Sequence, residues 1–203
     1  MKRFWKRANR GLVLAAVILA GLVIFIQIDQ YQFKSSKPEI EQMTREYLER
    51  VKENNQLEPK ARMEQTRLLL TEYWKDSGNV MNGVSKRNME SYLDYVQNGE
   101  FEQLDDYADR INDIEISKSG PRAASVSVSY EVTLEGSSQV YSYSIYGLEA
   151  GWYEAGEAGD GTASESRRYD LALQMTQESD GWKITSISSS YELAGTAAPD
   201  QES

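Results

Sequence analysis

The chain has 203 residues, enough for one ordinary domain with additional segments. It carries 22 Lys and Arg against 32 Asp and Glu, a formal charge of -10, and it has neither Cys nor His. That composition excludes disulfides, thiolate nucleophiles, imidazole bases and zinc sites built on Cys or His. The charge is also uneven. Five bases (Lys2, Arg3, Lys6, Arg7 and Arg10) precede the first acid, Asp29, so residues 29–203 hold the remaining 17 bases against all 32 acids, a net of -15. A body of that sign is unsuited to phosphate backbones, and no nucleic-acid partner is expected.

In chain order, a basic segment (1–10) leads into an apolar run (11–28) whose only strongly polar residue is Gln27. Eighteen residues at 1.5 Å each span about 27 Å, just enough for a hydrocarbon core. The run ends in bulky residues without a small-x-small cleavage site, and no Cys follows. The reading is therefore an uncleaved transmembrane signal anchor. The cations on its N-terminal side place residues 1–10 in the cytoplasm and the rest outside, by the positive-inside rule. The chain has no Asn-x-Ser/Thr sequon, which leans away from a eukaryotic secretory origin and toward a bacterial cell envelope.

Residues 29–36 read as a short polar linker. Ser36, Pro38 and Glu39 then form the signature of a capped helix start. Ile40, Met43, Tyr47, Leu48 and Val51 follow at helical spacing, ending near Asn54. Pro59 opens a second helix with Met63, Leu69, Leu70, Tyr73 and Trp74 as its apolar positions, stopped by Gly78. A third helix is expected over about 85–98, with Met89, Tyr92, Leu93 and Val96 on one face. Residues 100–110 are ambiguous, with a short helical turn as one reading.

The period then changes to two. Ile111, Ile114 and Ile116 suggest a strand, and Ser119-Gly120-Pro121 a turn. From Val126 to Leu134 apolar residues alternate with Ser, Glu and Thr, as in a sheet with one dry and one wet face. Residues 139–148 read as the next strand and 149–168 as a long loop. Alternation resumes at Tyr169, Leu171, Leu173 and Met175, and Glu178 to Gly181 makes a hairpin turn. Trp182, Ile184, Ile187 and Tyr191 mark the last strand, and the phase slip between Ile184 and Ile187 predicts a bulge. Residues 192–203 read as a disordered tail. The expected fold is α+β: a transmembrane helix, then about three helices packed on a bent antiparallel sheet of four to five strands, with a domain over 37–191 in a simple meander.

Two stretches carry a family resemblance. Ile114–Ser117 running into Ala123–Val128 resembles the strand, turn and alternating strand of the nuclear transport factor 2-like superfamily. Leu171–Gln177 followed by Asp180-Gly181-Trp182-Lys183-Ile184 is similar to its closing hairpin. The resemblance implies a cone, in which helices fill the concave side of a bent sheet. An N-terminal anchor plus one such cone resembles the membrane-anchored bitopic subunits of conjugation and type IV secretion machines. Superfamily isomerases use an Asp, or an Asp–His pair, with a Tyr deep in the cone. Here only an Asp–Tyr version is conceivable, drawn from Asp105, Asp106 and Asp109 with Tyr141, Tyr143 and Tyr146.

No catalytic, metal or cofactor residue stands out. The acidic, glycine-rich stretch 154–161 misses the spacing of a calcium loop, and no phosphate loop or nucleophile elbow is present. The tyrosines are more suggestive: 13 occur, seven of them between 130 and 191. Tyr141, Tyr143, Trp152 and Tyr153 are the candidate partner or ligand contacts, because aromatics with a polar tip suit interfaces. The expected protein is non-catalytic, anchored by a single pass in the plasma membrane, with its body outside and bound to other envelope proteins or to itself. The alternative is an anchored sensor or carrier for a small apolar ligand, or an isomerase-like enzyme.

Overall fold

The computed structural model describes residues 10–76, 83–96, 106–137, 141–142, 151–152 and 162–193. The chain divides into two compact units, Met1–Pro38 and Glu39–Ser203. In the first, the apolar run is helical, is long and apolar enough to cross a membrane, and has none of its side chains buried by the chain itself. Leu12, Leu14, Val17, Ile18, Leu22 and Phe25 are all more than half exposed. Apolar side chains on every side of a helix are stable in lipid and unfavourable in water.

Helix α1 covers Arg10–Asn55 without interruption, with Pro38 inside it. Residues 29–36 are thus helical, and the expected cap at Ser36 does not form. The Ser36 and Ser35 hydroxyls instead donate to the Gln32 carbonyl at 3.0 and 2.7 Å. The physical reason is that 29–36 contains neither Gly nor Pro. Extending an existing helix gains one hydrogen bond per residue ordered, whereas starting a new one has the cost of nucleation.

In the second unit α1 buries Ile40, Thr44, Tyr47, Leu48, Val51 and Asn54, a clean stripe at spacings of three and four. Thr44 is accommodated because its hydroxyl donates to the Ile40 carbonyl at 2.8 Å. Helix α2 is Pro59–Tyr73, with Pro in its first turn, where the missing N–H costs nothing. It ends five residues before Gly78, because Trp74 turns to extended backbone and bridges the sheet at Ile184. Its buried stripe is Arg62, Thr66, Leu69, Leu70 and Tyr73, so Met63 is only half-buried and Arg62 lies inside. Helix α3 is Lys86–Val96. Ser85 caps it by reciprocal bonds with Asn88: the Ser85 N–H donates to Asn88 Oδ1 at 3.1 Å, and the Asn88 N–H to Ser85 Oγ at 3.4 Å.

The sheet has four antiparallel strands in the order β1 (Asp106–Gly120), β2 (Ala123–Ser137), β5 (Thr162–Glu178) and β6 (Gly181–Leu193). Residues 106–110 are strand, not a helical turn, because Asp106 to Arg110 pair with Glu131 to Glu135. The four strands of this sheet are neighbours in chain order, as in a meander, with an insertion between β2 and β5. Of the expected strand over 139–148, the described part, Tyr141–Ser142 (β3), pairs with Gly151–Trp152 (β4) in a separate two-stranded ladder. β5 starts seven residues earlier than its apolar alternation, because Thr162 to Arg168 find partners along the whole upper half of β2. Backbone hydrogen bonding, not side-chain pattern, extends that strand.

One sheet face is dry: Val126, Val128, Tyr130 and Val132 on β2 with Leu171, Leu173 and Met175 on β5, all at most 2% exposed. On β6 the expected bulge forms. Gln174 pairs with Ser186 and Met175 with Ile184, leaving Thr185 as the extra residue. The bulge lets Trp182, Ile184 and Ile187 all stay buried despite the broken alternation. The outer edge of β6 is covered by backbone. The Lys75 N–H donates to the Ile184 carbonyl, and Val84 exchanges two bonds with Ile187. Gly83 makes this approach possible, since a Cβ there would lie 2.5 Å from the Ile187 carbonyl oxygen.

Candidate functional site

Three places bear on chemistry: the aromatic candidates, the acids near the dry face, and the wet face of the sheet. Of the aromatics, Tyr141 and Trp152 are direct register partners in the β3–β4 ladder. Sequence distance hides this pairing, because ten residues separate them. Tyr143 and Tyr153 lie outside the described residues. The ladder is an excursion between β2 and β5, so it is not needed to complete the four-stranded sheet.

Among the acids, Asp109 is the one with a defined setting. One carboxylate oxygen accepts a hydrogen bond from Tyr130, and the other lies 3.2 Å from Lys52 Nζ. Lys52 comes from α1, Asp109 from β1 and Tyr130 from β2, so the group ties helix to sheet. The Asp109 side chain is 9% exposed, and its hydrogen bond and charge hold the Lys52 ammonium above the usual lysine range. Tyr130 is not among the tyrosines expected to partner Asp109 (Tyr141, Tyr143 and Tyr146), of which Tyr143 and Tyr146 lie outside the described residues. The signal was available: Tyr130 and Asp109 sit at alternating positions of adjacent strands, and only their register was missing. Asp105 and Tyr146 lie outside the described residues. Both carboxylate oxygens are thus engaged, one by β2 and one by α1.

The layer between helices and sheet is filled by the protein's own side chains. Trp74, Leu70, Leu93, Leu173 and Trp182 are all at most 5% exposed. Tyr47 packs among them, with ring centroids 5.6 Å from Tyr73 and 6.3 Å from Trp74. Its burial raises the phenol well beyond the ordinary tyrosine range.

A groove of about 550 Å³ lies on the opposite, wet face. Strand register resolves its floor into two rows that cross the sheet. The first is Asp113, Ser129, Asp170 and Ser190, and the second Glu115, Ser127, Ala172 and Ser188. Short side chains on the central strands keep the floor low, while the carboxylates stand exposed. In sequence these residues are only the polar half of an alternation. Among the described residues, no group of three or more acids is placed to hold a metal ion.

No protein-family model, curated protein or solved structure matches this chain.

Proposed function

We propose that the protein is a non-catalytic, single-pass envelope protein, with residues 1–10 cytoplasmic and the body beyond the span extracytoplasmic. The body binds other envelope proteins and holds part of a larger assembly at the membrane. In this reading it is a nuclear transport factor 2-like cone, used as a docking module like the anchored subunits of secretion machines. The observation that carries the proposal is the Tyr141–Trp152 pairing in a ladder outside the main sheet. Two aromatics at one register position of a ladder separate from the main sheet suit recognition. The candidate membrane span and the net body charge of -15 (17 bases against 32 acids) are consistent with an anchored, soluble-faced module.

A small apolar ligand has less support, because Trp and Leu side chains occupy the layer where it would sit.

The test is crosslinking in intact native cells, followed by detergent purification and identification of adducts by mass spectrometry. Reproducible adducts to a few envelope proteins, lost in the Tyr141→Ala/Trp152→Ala variant, are expected. Adducts unchanged in that variant would remove these residues from the interface. Absence of any adduct would remove the assembly role.

A further inference from the structure

We infer that the wet-face groove docks a basic, extended segment of a partner protein, with cations about three residues apart. The inference rests on the assembly reading above and names the chemistry of the partner.

The argument is one of charge complementarity, read row by row. Beyond one end of the groove the row carries both signs equally, with Arg110, Glu131, Arg168 and Glu192 in register and Arg110 Nη2 2.7 Å from the Glu131 carboxylate. Beyond the other end the row is neutral: Ser117, Ser125, Gln174 and Ser186, with the Gln174 amide donating to Ser125 Oγ at 3.0 Å. Between those rows, the two groove rows carry carboxylates with no opposite charge in register. Asp113 faces Ser129, Glu115 faces Ser127, and Asp170 lies between Ser129 and Ser190. Like charges without counter-charges are unfavourable in the free protein, and a cationic occupant relieves that cost.

Shape agrees. Both outer strands carry a one-residue bulge near the ends of these rows, at Asn112 on β1 and Thr185 on β6. Bulges bend strands and increase twist, which curves a face into a groove.

Spacing defines the occupant. Asp113 and Asp170 stand two strands apart in one row, about 9.5 Å at the usual strand separation. A polyproline-type chain rises about 3.1 Å per residue with three residues per turn, so every third side chain returns to the same face after about 9.3 Å. A segment of that kind laid across the strands, with Lys or Arg at every third position, meets both carboxylates. The serine hydroxyls between them can bond its backbone.

The test uses the full-length protein in detergent and the labelled peptide (Lys-Pro-Pro)4, followed by fluorescence anisotropy. Binding that weakens with salt, and falls about ten-fold or more in Asp113→Asn/Asp170→Asn, is expected. The unfolding midpoint of the variant monitors its fold, and Glu115→Gln serves as a second, milder variant. Equal binding by a peptide of the same composition with its lysines contiguous would overturn the inference, as would no binding. Competition by spermine as effective as the peptide itself would assign the groove to small polyamines instead. In-cell crosslinking separates the two levels. Wild-type adducts that persist undiminished in Asp113→Asn/Asp170→Asn refute the groove but leave the assembly reading intact, whereas no wild-type adducts refute that reading itself.

Discussion

Tyr130 on β2 donates its hydroxyl to Asp109 on the neighbouring strand, and the same carboxylate reaches Lys52 on α1. The phenol is fully buried and its acceptor nearly so, so each needs the other. Removing one member leaves a buried polar group with one hydrogen bond fewer. Asp109→Ala is therefore expected to destabilise the body by about 2 kcal/mol, and Tyr130→Phe by about 1 kcal/mol. Urea unfolding of the single and double variants checks this. Strictly additive losses would show that the two residues do not interact.

Alkaline pH should weaken the fold. Lys52 is raised by its bond and charge interaction with Asp109, and Tyr47 and Tyr73 mainly by burial. Raised groups hold their protons more tightly when folded, so above about pH 10 the unfolded chain releases protons first. Their contribution is complete below about pH 10 and is lost as pH rises through the folded values. The urea midpoint is expected to be level from neutral pH to about 9.5 and then to fall. A midpoint that stays level to about pH 11.5 would contradict this assignment.

Gly83 and Gly181 both have positive φ, 95° and 123°, but in different surroundings. A methyl at Gly83 meets the Ile187 carbonyl at 2.5 Å, whereas at Gly181 the nearest atom is a Glu39 carboxylate oxygen 4.0 Å away. Gly181→Ala then carries backbone strain alone, about 1–2 kcal/mol. Gly83→Ala adds the loss of the Val84–Ile187 bridge and should cost clearly more, on the order of 3 kcal/mol. Thermal unfolding of the two variants side by side measures the difference, and equal losses would contradict the close approach.

Truncation should leave the body unharmed. Ile40 is the first buried residue among the described residues, and the compact units divide after Pro38. A chain starting at residue 35 has no upstream helix to extend. Ser36 is then free to cap, with Pro38 in the first turn and Glu39 at the third position. The truncated protein is expected to be soluble and within about 0.5 kcal/mol of the full chain. Amide exchange would show protection beginning at about Ile40, the first amide that can bond back to the Ser36 carbonyl. A truncated chain that aggregates or unfolds would mean that residues before 35 stabilise the body.

Local chemistry was enough to read much of this protein. Span, helices and hairpin follow from side-chain period and turn residues, all properties of neighbours in sequence. The bulge at Thr185 was legible for the same reason, since the apolar phase on β6 breaks between Ile184 and Ile187. What sequence could not decide was partnership across distance. It could not show that β2 would skip residues 138–161 to pair with β5, or that Asp109 would choose Tyr130. Nor could it place Arg62 inside, because burial depends on what lies alongside. The groove is the clearest case. Asp113, Asp170 and the serines are ordinary wet-face residues in any one strand, and only the register of four strands sets them in rows whose carboxylates have no opposite charge in register. Register is a non-local quantity, set by where backbone bonds close and where the dry face must point.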